Sequence, residues 1–450
     1  MASPNDNPAK GPSGTVLLSS SETAQSAPGS SNTEMGKLRC PNQPNTPSPS
    51  VLPPPPNGGL VAWLQVVGSW CLMLNCWGII NTYGVFQTYY QTKLLADRTP
   101  SSIAWIGSIQ AFLLLFVGAL TGPLYDYGYF HHLIAVGSFL MVFGMMMVSL
   151  CTQYWQLVLA QGIVVGLGGG CLFVPSIAIL PTYFSTRMAF TIGIAGSGSG
   201  IGGVIYPILF QELEDDLGFA WATRVIAFVM AATLSVPLAV MRPRLKPSAV
   251  RKLFDSAAWT ERPYSLFAFG GFFGFIGMYL PLFYVSVFAI DHHTSSRLAF
   301  YLLPIINAGS ILGRIFPNYV ADKTGPLNIF IPTCFSLAVL SFAWMAIYDV
   351  TGLVVFTIVY GFFSGTFLTL PFSTVVTLSP HMGVVGVRMG MACAIGSLGL
   401  LVGTPLAGAI LIHGKWHALQ AFGGATLLIA TVAMSAARIS KVGWYLTAKA

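Results

Sequence analysis

The sequence predicts an all-α membrane protein, with twelve transmembrane helices arranged as two pseudo-symmetric six-helix bundles. Three observations carry that expectation: an apolar composition, twelve long uncharged runs, and a faint internal repeat. Of the 450 residues 54% are hydrophobic and only 8% charged, against about 45–50% and about 25% in an ordinary soluble domain. Spanning hydrocarbon takes about 20 largely uncharged residues per helix, because the bilayer offers open backbone no hydrogen-bond partner. The repeat runs in order: Gly162, Gly166, Pro181, Arg187, Gly196-Ser197 and Pro207 recur as Gly361, Gly365, Pro380, Arg388, Gly396-Ser397 and Pro405, displaced by 198 to 201 positions. An earlier echo links Asp126 and Gly128 to Asp322 and Gly325. Same-order duplication in so hydrophobic a chain implies two parallel halves with a substrate held between them, which makes transport the leading expectation.

The twelve runs fall near 61–86, 103–124, 131–151, 155–180, 187–210 and 221–241, then 264–289, 299–320, 327–348, 352–378, 386–411 and 416–437. Polar or turn-forming breaks separate them. Gly168-Gly169-Gly170, Pro175 and Pro371 lie inside runs, and membrane helices tolerate both residue types where neighbours satisfy the backbone. The organisation follows: a cytoplasmic tail over 1–57, an N-terminal bundle over 58–241, a cytoplasmic linker over 242–263 and a C-terminal bundle with a short tail over 264–450. The tail is rich in Ser, Pro, Asn, Thr and Gly and ends in Pro53-Pro54-Pro55-Pro56, too little apolar surface to fold, so disorder is expected. It lacks the basic start and apolar run of a cleaved signal peptide, which leaves the first helix as the targeting signal.

Lysine and arginine set the orientation. With the N-terminus inside, the cytoplasmic ends collect Arg187, Arg242, Arg244, Lys246, Arg251, Lys252, Arg262, Lys323, Arg388, Arg438, Lys441 and Lys449, while the outer side holds Lys93, Arg98, Arg224, Arg297 and Lys415. Both termini are therefore expected in the cytoplasm. The net charge of +7 sits at membrane edges and is explained by topology rather than by nucleic acid. The cluster from Arg242 to Lys252 is also placed to meet anionic lipid headgroups.

A charge buried in a membrane helix costs about 2.5–3.5 kcal/mol for arginine on insertion scales, so each one needs a reason. None of the 14 carboxylates falls at mid-membrane. Among the bases only Arg314 lies well inside a predicted span. Three readings are open: it snorkels to the headgroups, it bonds carbonyls of a neighbouring helix, or it faces a wet cavity and receives an anionic substrate. A guanidinium suits a carboxylate, since its donor fork matches two oxygens. Asn307 and Ser310 precede Arg314 by seven and four residues and share its helical face. Asn81, Tyr83 and Gln87 on helix 1, Gln110 on helix 2 and Gln161 on helix 4 are further polar candidates, each with interhelical bonding as its plainer role.

Other motifs carry less chemistry. Gly196-Ser197-Gly198-Ser199-Gly200-Ile201-Gly202-Gly203 has no preceding strand and no Lys-Ser/Thr, so it reads as a close-packing face and not as a phosphate loop. His413 and His417 have metal-like spacing but no further ligands, and read as an outer-loop feature. The seven cysteines show neither zinc spacing nor a disulfide framework and read as packing residues. No cofactor or metal is implied, and no enzyme.

Several motifs then resemble one family. Asn57-Gly58-Gly59-Leu60-Val61-Ala62-Trp63 is similar to the Asp-Gly-Gly-x-x-x-Trp start of helix 1 in the monocarboxylate porter family of the major facilitator superfamily. Trp105-Ile106-Gly107-Ser108-Ile109-Gln110, Tyr183-Phe184 through Arg187, Gly196-Ser197, Gly313-Arg314 and Ala321-Asp322-Lys323-Thr324-Gly325 resemble it too, particularly its fungal branch. The resemblance covers nearly everything after the tail. It implies the major facilitator fold, a cavity between two bundles, alternating access by rocking, and carriage of small organic anions, often with a proton. By resemblance the family's deep helix 8 arginine is Arg314. Two of the family's charged positions are uncharged here, an aspartate falling on Ser310 and a lysine near Asn81, which leaves proton coupling open. Fungal members of the family also export secondary metabolites.

The sequence-based expectation is therefore a secondary or facilitative transporter of a small organic acid or acidic secondary metabolite, with Arg314 binding the anionic group. Ser310, Asn307, Asn81, Tyr83 and Gln110 are its expected polar companions, and Asp126 and Asp322 the gating residues. A non-transporting membrane sensor on the same scaffold is the alternative. The plasma membrane is the expected location, with a vacuolar or other internal membrane the alternative. One asymmetry stands out: the offset of about 196 linking Asp126 to Asp322 sets Arg314 against Gly118, so the charge has no twin.

Overall fold

A computed structural model of the chain describes residues 55–244, 254–380, 382–412 and 415–444. The tail to residue 54, Lys246, Arg251, Lys252, Lys449, His381, His413 and the side chain of Asp126 lie outside the described residues, and with them the expectations made for them. Among those described, 11 helical runs are long and apolar enough to cross a membrane. One of them, Met188–Val240, breaks at Gly218, where φ is 77°, so the runs make twelve spans. The break follows Glu212, Glu214, Asp215 and Asp216, four carboxylates that hydrocarbon would not solvate. Glycine takes the positive φ without steric cost.

The spans are α1 (Leu60–Leu94), α2 (Pro100–Asp126), α3 (Phe130–Val148), α4 (Tyr154–Tyr183), α5 (188–217) and α6 (219–240), then α7 (Arg262–Asp291), α8 (Ser296–Thr324), α9 (Pro326–Ala346), α10 (Val350–Leu378), α11 (Met382–Leu411) and α12 (Trp416–Val442). All twelve predicted runs are found, most of them longer than read. The first continues to Leu94 because the apolar stretch ends in polar and aromatic residues that a π-helical turn, Tyr90–Leu94, still carries. The sequence ends its tail at residue 57, yet Asn57 is already tied to the helical body. Its Oδ1 accepts from the backbone N–H of Ser185 at 2.7 Å and of Thr186 at 3.2 Å.

The internal repeat reappears as packing. Cβ atoms added at Gly162 and Gly166 of α4 would meet the backbone of Ile106 and Gln110 on α2, while those at Gly361 and Gly365 of α10 would meet Ile306 and Ser310 on α8. Likewise Gly198 and Gly202 of α5 lie on the backbone of Trp70 and Leu74 in α1, and Gly399 and Gly403 of α11 on that of Phe272 and Ile276 in α7. Small residues at such crossings let backbones approach, which is where lipid-embedded helices gain their van der Waals contact. Counted through the α2–α4 and α8–α10 crossings, the partner of Arg314 is Leu114 and not Gly118. The offset there is 200, one helical turn from the offset between the loops, and both counterparts are uncharged.

The halves meet along two seams, α5 against α8 and α2 against α11, and where the far part of α1 touches α7. We call the end where α1 begins the near end. Toward the far end the seams are bonded shut. The Ser101 hydroxyl donates to the carbonyl of Pro405 at 2.9 Å, the Ser108 and Thr404 hydroxyls bond to each other, and the Tyr301 hydroxyl donates to Glu212 at 2.7 Å. Toward the near end the α2–α11 seam opens into an apolar groove between Ala119, Gly122 and Pro123 on one side and Gly386, Gly390 and Ala394 on the other.

Candidate substrate site

The α5–α8 seam is built from glycines. Gly193, Gly200 and Gly203 on α5 lie against the Arg314 carbonyl, Ile311 with Ser310, and the Asn307 carboxamide on α8. The run that could be mistaken for a phosphate loop is thus a bed for the polar face of α8. A side chain at Gly193 would meet the Arg314 carbonyl itself, and one at Gly200 or Gly203 would displace the side chains of Ile311 or Asn307.

Arg314 is 1% exposed. One guanidinium nitrogen donates to the Gly196 carbonyl at 2.9 Å and to the Ser199 hydroxyl, both on α5. The Nε–H has no partner, and among the described residues no carboxylate pairs with this arginine. One of the three readings open from sequence is found, Arg314 bonding a carbonyl of a neighbouring helix, and the side chain also lines a cavity with Met73, Trp77, Ser199, Thr369 and Phe372. Snorkelling is excluded by its burial and by the direction of its bonds. Below it, Asn318 donates to the Arg314 carbonyl at 2.7 Å and to the Thr369 hydroxyl at 2.6 Å, leaving its own carbonyl oxygen without a partner.

The remaining residues singled out from sequence divide by position. Asn81 lies beside the arginine site, its Nδ2 within 3.4 Å of the Ser199 carbonyl and its Oδ1 accepting from Tyr279 of the other half at 3.5 Å. Ser310 and Asn307 share the Arg314 face but are spent on packing, Ser310 donating to the Asn307 carbonyl at 2.7 Å and Asn307 to the Leu303 carbonyl at 3.0 Å. Tyr83 is farther toward the far end, its hydroxyl on the Ile103 carbonyl at 2.6 Å and its ring against Phe283. Gln110 is buried with neither carboxamide atom partnered, against Gly166 of α4 and outside the Arg314 cavity. Asp322 is exposed at the near end of α8, and His417 bonds the Tyr348 hydroxyl at 2.9 Å.

Sequence reading missed three things. Ser199 was visible only as part of the glycine-serine run. The cavity's other walls, Trp77, Thr369 and Phe372, come from helices far apart in sequence and carry no motif. The third is a second buried arginine. Arg388, assigned from sequence to a polar cytoplasmic edge, is 1% exposed. Its Nε meets Asp255 at 3.0 Å, its two terminal nitrogens meet both oxygens of Glu261 at 2.7 and 2.5 Å, and Tyr264 donates to its carbonyl at 2.6 Å. Asp255 also caps the short helix Ser256–Thr260, so this network fastens the segment that precedes α7 to α11.

The family model described as Major Facilitator Superfamily matches residues 66–396. The MFS-type transporter dbaD of Emericella nidulans is 48% identical over 378 residues, 83% of this chain and 85% of that protein. The aspyridones efflux protein apdF of the same organism is 36% identical over 381 residues, 84% of this chain and 78% of that protein. Among solved structures, the nucleoside transporter NupG superposes with a TM-score of 0.65 at 14% identity, covering 84% of this chain and 99% of that one, a likeness of fold alone.

Proposed function

Since the chain belongs to the Major Facilitator Superfamily, we propose that it is a secondary transporter that moves an acidic secondary metabolite across a membrane by alternating access, with Arg314 binding the anionic group. Transport itself, and not catalysis, is the activity of the family and of the named relatives, one of which is an efflux protein. The single observation that carries the anion reading is the state of Arg314: a buried cation on the seam between the halves, bonded to neutral oxygens, with one N–H free and a cavity in front of it. A carboxylate or enolate arriving there supplies the counter-charge that the protein withholds, and a charge-assisted bond of this kind is roughly twice as strong as a neutral one. Asn81 steadies Ser199 from behind, so it acts on the site through its neighbour.

The finer assignments belong to the same proposal. The chain sits in the fungal branch of the monocarboxylate porter family. It is divided as read from sequence, into bundles over 58–241 and 264–450 joined by the linker 242–263, with the near end facing the cytoplasm and the plasma membrane as its location. Asp126 and Asp322 hold the near ends of α2 and α8 during gating, and a proton, if one travels, enters on the substrate or through these two carboxylates. Small-residue packing on the α5–α8 seam lets one bundle rock against the other.

The test begins with cells expressing or lacking the protein, whose internal and external metabolites are compared by mass spectrometry. The acid that redistributes is then measured in proteoliposomes at two pH values. Arg314→Gln is expected to end its transport while the protein still reaches the membrane and runs as a single species. Undiminished flux through that variant removes Arg314 from the mechanism.

A further inference from the structure

A second cavity adjoins the arginine site and has the opposite chemistry. It takes up about 550 Å³, counting its open mouth, and shares Trp77, Leu368 and Phe372 with the Arg314 cavity. Its walls are aromatic and aliphatic side chains with no carboxamide, hydroxyl or charged group among them. The rings form a linked wall. Phe267 neighbours Phe330, Phe330 stands 5.2 Å from Phe367, and Phe367 meets Phe275 edge-on at 5.4 Å. On the other side Phe372 faces Phe173, which in turn packs on Trp77.

We infer that this chamber is the subsite for the body of the substrate, and that the substrate class is an amphipathic acid: one anionic group at Arg314 joined to a flat aromatic or polyunsaturated skeleton lying among Phe275, Phe330, Phe367 and Phe372. The inference rests on the anion reading of Arg314 for the orientation of the ligand but not for the existence of the chamber. A lining with ring edges and faces exposed, whose side chains offer no polar group beyond the Trp77 indole N–H and the Cys393 thiol, rewards π-surface and penalises hydroxylated molecules, most of whose groups would be left unpaired. A two- or three-carbon acid at Arg314 leaves the chamber unfilled and gains nothing from it.

Two residues make the chamber testable. Cys393 lines it and is a free thiol. Gly271 lines it on the same face of α7 as Ala268 and Phe275, and a Cβ added there meets nothing within 4 Å, so a larger side chain at 271 grows into the open space without moving backbone.

The purified protein in lipid nanodiscs is alkylated with N-ethylmaleimide, and the rate at Cys393 is read by peptide mass spectrometry, with Cys171 on α4 as internal control. The probes are 1-anilinonaphthalene-8-sulfonate, its neutral analogue N-phenyl-1-naphthylamine, and acetate. Both aromatic probes are expected to slow alkylation of Cys393 at least tenfold without slowing Cys171, and acetate to leave it unchanged. Gly271→Phe, with Gly271→Leu as the smaller alternative, is expected to slow alkylation of Cys393 tenfold without any probe. In Arg314→Gln the half-protecting concentration of the sulfonate is expected to rise tenfold or more, and that of the neutral amine to stay where it was. Failure of both aromatic probes to protect Cys393, or unchanged reactivity in both Gly271 variants, overturns the chamber. Protection that survives while Arg314→Gln leaves the sulfonate unaffected keeps the chamber and removes the anion reading instead.

Discussion

Arg314 and Arg388 are each 1% exposed, lie on helices of the same half, and differ in everything that surrounds their charge. Arg388 is met by two carboxylates, one of them bidentate, and by the Leu378 carbonyl. Arg314 meets a carbonyl and a hydroxyl and keeps an N–H in reserve. A buried charge whose partners are supplied by the protein is a fastening, because its counter-charge is already in place. One left without a counter-charge is expensive to fold around and persists where something else brings the charge. The contrast teaches that burial of a cation does not by itself mark a binding site; the identity of its acceptors does.

The largest expected effect that would break this comparison is on flux. Arg314→Gln should lower transport a hundredfold or more, and because it removes an uncompensated buried charge, its melting temperature should equal or exceed that of the parent. A large fall in melting temperature with normal flux would make Arg314 the fastening. Arg388→Gln should do the reverse: it strands Asp255 and Glu261 and destabilises by about 1–3 kcal/mol, less than the 3–5 of a fully buried pair because both carboxylates are partly exposed. Transport per folded molecule should stay within a few fold. Replacing Asp255 and Glu261 by Asn and Gln in the same chain should restore much of the melting temperature, and absence of any rescue would deny the network.

The seams sharpen the same contrast. Gly200→Leu would drive a side chain into Ile311 and Ser310, 2.7 and 3.2 Å from the new Cβ, costing about 1–3 kcal/mol by overpacking and loosening the bed of Arg314. Gly122→Leu on the α2 side of the other seam has open space in front of it, and thermal melts should show about 0.5 kcal/mol or less. Equal losses in the two variants would show that the seams are alike. Smallest of all, Tyr301→Phe removes one solvent-exposed bond to Glu212 across the far end. Its readout is labelling from the far face of a cysteine placed at Ser108, expected to rise severalfold.

Much of the architecture was legible. Apolar runs found the spans, because hydrocarbon imposes one solution on the backbone, and the glycine echo was a record of helix crossings: Gly162 and Gly166 of α4 packed against α2 repeat as Gly361 and Gly365 of α10 packed against α8. Arg314 was legible for the same reason, as the charge that should not be inside a span. Arg388 was not. Its linear surroundings look like a polar loop end, and its partners stand 133 and 127 residues upstream. The aromatic chamber was equally hidden, since phenylalanine in a membrane helix is the ordinary lipid-facing choice and only the fold says which rings turn inward.

The sequence by itself determined the solvent, the twelve crossings, the two-fold repetition and the one cation deep in a span, because each depends on local transfer free energy or on residues adjacent along a helix. The tertiary structure decided which face of the glycine run meets α8, which arginine has carboxylates and which lacks them, and that an apolar chamber lies against the cationic one. Those are relations between helices far apart in the chain, set by shape and by the need to satisfy each buried polar atom, and no stretch of sequence carries them alone.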